Sequence, residues 1–257
     1  MAHEHTHHHH HDHHHDYAKA NADHFSEQAS NYRTELSIEI AKRCAAHILK
    51  KYPFDSSKTE LLDFACGPGL IAFELLPNVK RIVGADSAPG MVEVFNRTAT
   101  EQGLSPEKIH CIKIDALKGD ESDLDGALFD VIICVQSYHH FEDPIQITKA
   151  FAQRLKPNGR LIVIDFADAG NIEAFFEKVH ENKHQHEHIV AHKHGFTYER
   201  MIELFKAGNL QNPQVEEAFN MPKSEMKTYQ AHEHMTKVME CDFDFTFHYF
   251  IAYADKA

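Results

Sequence analysis

The chain lacks most of what would take it out of a reducing, aqueous setting. Its five cysteines (Cys44, Cys66, Cys111, Cys134 and Cys241) are odd in number, scattered and nowhere spaced as CxxC. That pattern excludes a disulfide scaffold and a cysteine zinc site of the usual spacing. No apolar run approaches the roughly 18 residues that a bilayer span needs. The N-terminus offers neither an apolar signal core nor an Arg-rich amphipathic presequence. A cytoplasmic protein without membrane insertion is the expectation. Basic residues are also in short supply: 26 Lys plus Arg stand against 39 Asp plus Glu, a formal charge of −13. With no Lys/Arg cluster to offset it, such a surface repels phosphate backbones and argues against nucleic acid as a partner. Internal repeats are absent, and oligomeric state is not legible.

What is present suits one sizeable α/β domain: 257 residues, 42% hydrophobic and 25% charged. Met1 to Asp16 holds ten of the 24 histidines. That segment has nothing apolar to bury and cannot offset the entropy of becoming ordered. Residues 1–20 are therefore expected to form a disordered tail and residues 21–257 to fold. Imidazoles at this density bind nickel, copper or zinc in solution. The tail reads as dispensable, with metal buffering a peripheral alternative.

Hydrophobic spacing then sets the order of elements. Residues 21–51 read as helical, with Ile38, Ala41, Ala45, Ile48 and Leu49 on one face, closing at Tyr52-Pro53. Strands are expected over 59–65, 80–85, 108–114, 129–135 and 160–166, with helices after the glycine turn at 66–69 and over 88–102 and 144–155. The unbroken apolar run Phe129 to Val135 is the mark of a central parallel strand covered on both faces. Alternating strand–helix units of this length give a doubly wound α/β fold with a parallel sheet. The last third changes character. Helices are expected over 198–207 and 223–239, and strands over 213–219 and 244–254.

In such sheets ligands bind beyond the carboxyl ends of the strands, and the unusual residues fall there. The first strand ends in Asp63-Phe64-Ala65-Cys66-Gly67-Pro68-Gly69, where glycines let a backbone approach a ligand and open a helix whose N–H groups face it. Asp86 ends the second strand, placed for the two hydroxyls of a ribose. Asp115, followed by Ala116, ends the third. Taken singly, the turn is compatible with any strand–helix loop, and each acid with a helix N-cap. The NAD fingerprint needs G-x-G-x-x-G, whereas residues 65–70 read A-C-G-P-G-L.

Together these stretches resemble the Rossmann-like S-adenosylmethionine-dependent methyltransferases, in the small-molecule branch that includes quinone-biosynthesis enzymes. Asp63 to Gly69 resembles the cofactor loop, Asp86 the ribose acid and Asp115-Ala116 the pair beside the adenine. Phe129 to Ile133 and Leu155 to Leu161 are similar to the strand under the transfer site and the turn beyond it. Phe25 and Tyr32 fit the segment that closes over the cofactor. Ala65 stands where the family has its first loop glycine. The resemblance implies a mostly parallel seven-stranded sheet with an antiparallel last strand and a helical cap. The cofactor-binding core would span about 55–167, and the cap with the rest of the sheet 168–257. S-adenosylmethionine is the implied cofactor, contacted by Phe25, Tyr32, Asp63, Ala65, Gly67, Gly69, Asp86, Ser87, Met91, Asp115, Ala116 and Gln136.

On the acceptor side, methyl transfer requires a base only when the nucleophile must lose a proton. His139 and His140, after the fourth strand, titrate in the right range and are the candidate catalytic residues; a mechanism without a protein base stays open. Tyr138, His192, His194 and Phe196 are candidate substrate residues, with core packing as the alternative. His180, His184, His188 and His192 recur every four residues, a spacing that on one helix face binds a metal but more often marks a solvated face. No metal is assigned. The expected activity is methyl transfer to an O, S, N or C nucleophile of a small molecule. A non-catalytic cofactor-binding or metal-responsive His-rich module is the alternative, and the glycine loop disfavours an NAD oxidoreductase.

Overall fold

Strands rich in Ile, Val and Phe that are apolar on both faces have to be covered on both sides, and helices do this here. The computed structural model describes residues 17–114, 124–169, 172, 175, 190–240 and 242–257. The expectations for the first sixteen residues, for Asp115 and Ala116, and for His180, His184 and His188 lie outside the described residues. Seven strands form one sheet: β1 (Glu60–Phe64), β2 (Arg81–Asp86), β3 (Ile109–Lys113), β4 (Phe129–Val135), β5 (Leu155–Phe166), β6 (Gln211–Pro222) and β7 (Thr246–Asp255). Their order is β3-β2-β1-β4-β5-β7-β6. The first five are parallel, and β7 runs antiparallel to both β5 and β6. This is the mostly parallel, doubly wound sheet with an antiparallel last strand that the sequence implies.

The helices are α1 (Tyr17–Gln28), α2 (Glu35–Ile48), α3 (Leu70–Leu75), α4 (Pro89–Glu101), α5 (Pro144–Arg154), α6 (Tyr198–Ala207), α7 (Lys223–Met226) and α8 (Glu233–Met239). One face of the sheet packs Leu61, Ile82, Val131 and Ile162 under α2, α3 and α4, with Cys44, Ala72 and Phe95 supplied by those helices. The other packs Leu62, Val83, Ile132 and Leu161 under α5 and α6, with Phe151 and Phe205. β7 alternates between the two: Phe247, Tyr249 and Ile251 enter the first core, Phe250, Ala252 and Ala254 the second.

Two expected helices are each broken in two. The single helix over 21–51 divides at residues 29–34. There Thr34 and Ser37 form a reciprocal capping box, Ser37 N–H donating to Thr34 Oγ1 at 3.2 Å and Thr34 N–H to Ser37 Oγ at 2.8 Å. Helix begins at Tyr17, so residues 17–20, counted above with the tail, belong to α1. The expected helix over 223–239 divides into α7 and α8. In β5 the pairing jumps from Phe129–Leu155 to Val131–Arg160, and the intervening Lys156 to Gly159 carry Asn158 at φ 61°. Because β6 runs parallel to β1–β5, the connection 223–245 lies at the carboxyl ends of the strands. With α1 and the start of α2 it builds the cap there. Among the described residues no helix is long and apolar enough to cross a membrane.

Candidate active site

The carboxyl ends of β1, β2 and β4 open into a cleft of about 1480 Å³. Ala65 and Gln136, which follow β1 and β4, stand at φ 56° and 53°, left-handed values that L side chains rarely adopt. Gly67 stands at φ 53° and Gly69 at φ 86°. The loop is tied to β2 by Ala65 N–H, which donates to Ala85 O at 2.7 Å. Gly67 N–H donates to Asp86 Oδ2 at 2.8 Å and Ala88 N–H to Asp86 Oδ1 at 2.9 Å. Asp86, which also accepts from the Ser87 backbone, thus ties the glycine loop to the start of α4 and keeps capacity for a further donor. Burial lifts its carboxyl above the ordinary range, although these backbone bonds pull the other way.

Asp63 lies deeper, with Oδ2 buried and without a hydrogen-bond partner. Burial, and then the charge of Asp86, push its carboxyl up to about 8. An orphaned acceptor beside a second buried acid fits a ligand that brings positive charge and hydroxyl donors. Ser87 and the buried Met91 complete this wall.

The α1 face bearing Tyr17, Asn21, His24, Phe25 and Gln28 closes the cleft from above. Helix α1 rests on the first turn of α4, where a Cβ on Gly90 would lie 2.6 Å from Ser26 O. Phe25 meets His140 edge-on, ring centroids 5.3 Å apart, and Tyr32 at 6.4 Å. Burial and then Asp86 raise the Tyr32 hydroxyl. Sequence reasoning missed Asn21, whose amide donates to Tyr17 O at 2.8 Å while Oδ1 is buried and unbonded.

The turn after β4 separates three neighbouring residues. Residues 138–140 form a 3₁₀ turn, in which successive side chains diverge by about 120°. Tyr138 points into the core, fully buried, its hydroxyl 3.1 Å from Thr148 Oγ1. His139 and His140 line the cleft, ring centroids 4.1 Å apart. His139 is buried, and its Nδ1 lies 2.7 Å from Asp165 Oδ1. The backbone N–H of His139 donates to Asp165 Oδ2 at 3.1 Å. Asp165 was also missed. Its signal was present: one acid in the run Leu161-Ile162-Val163-Ile164-Asp165-Phe166, wholly buried at a strand end.

The far wall is aromatic: Phe166, Phe175, Phe247 and Tyr249 line the cleft with Val190. Gln136 Nε2 donates to the Tyr249 hydroxyl at 3.1 Å. The expected substrate residues lie elsewhere. Tyr138 and Phe196 are core, His194 is exposed in a turn, and none of the three borders the cleft. His192 is outside any helix and outside the cleft lining. Its Nε2 bonds Phe141 O at 3.0 Å, and burial lowers its pKa. These are structural placements, because residues 190–196 serve to fasten the β5–α6 connection under the 3₁₀ turn. Among the described residues no cluster of three His, Cys, Asp or Glu is placed to hold a metal.

Residues 62–163 match the methyltransferase domain family. An uncharacterised methyltransferase of Schizosaccharomyces pombe is 31% identical over 234 residues, covering 76% of this chain and 80% of that one. A ubiquinone biosynthesis O-methyltransferase of Rickettsia conorii is 32% identical over 115 residues, 44% of this chain and 37% of that protein; the chain thus spans well under half of that relative. In fold, the geranyl diphosphate C-methyltransferase of Streptomyces coelicolor, solved with S-adenosyl-L-homocysteine, superposes with a TM-score of 0.65 at 12% identity, over 94% of this chain and 98% of that one. The chain belongs to the Rossmann-like methyltransferases, and its methyl donor is S-adenosylmethionine.

Proposed function

We propose that the cleft transfers a methyl group to the O, S, N or C nucleophile of a small molecule, with His139 as the base. The observation that carries this reading is the buried Asp165–His139 pair, set between the glycine loop and the aromatic wall. When bound, S-adenosylmethionine supplies a methyl already activated by a positive sulfur, so the protein's work is holding, aligning and excluding water. Gly67, Asp86, Ser87 and Met91 would hold the nucleoside part, with Ala65, Gly69 and Gln136 shaping the backbone around it. Asp63 would face positive charge, and Phe25 and Tyr32 would close over the top. Asp115 and Ala116 join this set by resemblance.

With its Nδ1–H donated to Asp165, His139 carries its lone pair on Nε2, the nitrogen that would receive the nucleophile's proton. Asp165 fixes that tautomer and stabilises the imidazolium that forms, as in other His–Asp pairs. His140, its ring tilted against that of His139 and edge-on to Phe25, links the base to α1. The aromatic wall suits an apolar acceptor, and the chain's negative charge disfavours a polynucleotide.

The test is label transfer from methyl-tritiated donor to a panel of phenols, thiols, amines and quinone precursors. Transfer to at least one of them is expected, with His139→Ala cutting turnover by about 10²-fold or more while S-adenosylhomocysteine affinity holds. A protein that binds S-adenosylhomocysteine but labels nothing in the panel would sink the catalytic reading. Unchanged turnover in His139→Ala would sink the base assignment.

A further inference from the structure

Cys66 and Cys111 are far apart in sequence, yet their sulfurs lie 3.4 Å apart in the floor of the glycine loop. They belong to non-adjacent parts of the sheet: Cys66 follows β1, Cys111 is in β3, and β2 runs between them. The sulfurs meet because β2 carries Gly84 there. Gly84 is the register partner of Cys111, and a Cβ on it would lie 2.9 Å from Cys66 Sγ. The missing side chain leaves a corridor over β2 through which one sulfur reaches the other. Both residues are free thiols, and Cys66 lines the cleft.

We propose that this pair is an oxidisable site, whose disulfide pulls the glycine loop out of its cofactor-binding shape. A disulfide needs its sulfurs about 2.05 Å apart, so closure requires a movement of more than 1 Å. Since Cys66 N–H reaches Ala85 O only at 3.3 Å, the backbone that is better held is that of Cys111. Its N–H and C=O are both bonded by the Asn96 side chain, each at 2.8 Å. The loop supplies the movement, and Gly67, next to Cys66, then loses its contact with Asp86. The oxidant is a small peroxide entering through the cleft. The Cys66 sulfur takes one peroxide oxygen: the O–O bond breaks, an S–O bond forms, and water or an alcohol leaves. The Cys111 sulfur then attacks the Cys66 sulfur, the S–S bond forms, and the hydroxyl departs as water with the second thiol proton. Two electrons pass from the thiols to the peroxide. Burial pushes the Cys66 thiol up, which keeps the attacking thiolate scarce and makes the reaction faster at alkaline pH. A bound cofactor would block the entry route.

The inference rests on the reading of the glycine loop as the cofactor site, and the experiment separates the two. The full chain is treated with hydrogen peroxide at pH 8.5, with and without S-adenosylhomocysteine. It is then mapped by non-reducing peptide mass spectrometry and titrated with S-adenosylhomocysteine before and after dithiothreitol. A Cys66–Cys111 linked peptide is expected, with affinity at least tenfold weaker, restored by reduction, and with less linkage when ligand is present. Cys111→Ala is expected to bind as the wild type does and, after peroxide, to yield no linked peptide, its Cys66 oxidation stopping short of a disulfide at the sulfenic acid. Failure of the untreated protein to bind would overturn the loop reading itself. Binding without any linked peptide, or linkage with unchanged affinity, would overturn the proposed switch. Peptide mapping of the wild-type chain decides this even if the variant does not fold.

Discussion

Asp63 ties the pH behaviour of the protein to its ligand. Its carboxyl is held near 8 by burial and by Asp86, so below that pH the free protein keeps it protonated. A ligand that sets its α-ammonium beside Asp63 favours the carboxylate and must expel the proton. Affinity for S-adenosylhomocysteine is therefore expected to rise from pH 6.5 to about 8 and then level off, with proton release visible as a buffer-dependent binding enthalpy. Asp63→Asn is expected to remove that slope, and a slope that survives would contradict the assignment. In the free protein the sign is opposite. A carboxyl raised from its ordinary 3.8 stabilises the fold fully below that value and progressively less toward 8. Asp63→Asn is thus expected to melt higher than the wild type at pH 8 without ligand. Ala65, at φ 56°, carries a left-handed cost of about 1–2 kcal/mol, of which a glycine returns about 0.4–1 kcal/mol as unfolded-chain entropy. Ala65→Gly is expected to raise stability by up to about 1.5 kcal/mol, measured by denaturant titration. Asp165→Asn is expected to cut turnover by about 10²-fold or more, by losing the His139 tautomer, while leaving S-adenosylhomocysteine affinity intact. Asp63 and Asp86 were legible in the sequence because strand ends are. Asp165, an acid at a strand end too, was passed over because its meaning depends on a histidine 26 residues away, and the inward turn of Tyr138 was hidden because adjacency says nothing of side-chain direction in a 3₁₀ turn.

At the scale of elements, α1 is held chiefly through its contact with α4, where the absence of a Cβ on Gly90 admits Ser26. Gly90→Ala would force a 2.6 Å clash with backbone while slightly favouring α4 itself. The core is expected to keep its stability, but α1 is expected to dock less tightly. Limited proteolysis between residues 17 and 34 would accelerate, and S-adenosylhomocysteine affinity would drop severalfold. Unchanged cleavage and affinity would mean that α1 does not cover the ligand. Strands and most helices were readable because buried parallel strands are unbroken apolar runs and their helices are amphipathic. The breaks at 29–34 and 227–232 were not, since helical spacing of apolar residues runs on through both. Thr34 and Ser37 mark the first as a capping box, in a Ser-for-Glu form that the usual pattern overlooks. That break carries Tyr32 to the cleft.

For the whole molecule, the sheet order and the direction of β6 put three connections over the same strand ends, so loop, lid and aromatic wall enclose one volume. A ligand held there stabilises the native state by about 2.7 kcal/mol at a hundred times its Kd, which for a domain of this size raises the melting temperature by roughly 5–10 °C. This volume is built around Asp86 and the glycine loop, the parts expected to hold S-adenosylmethionine. Titration calorimetry of the full chain and of Asp86→Asn with S-adenosylhomocysteine, with NAD as control, tests this expectation most directly. One micromolar site is expected in the wild type, with at least tenfold weaker binding in the variant and no heat from NAD. Absence of binding, or equal affinity in the two proteins, would contradict it.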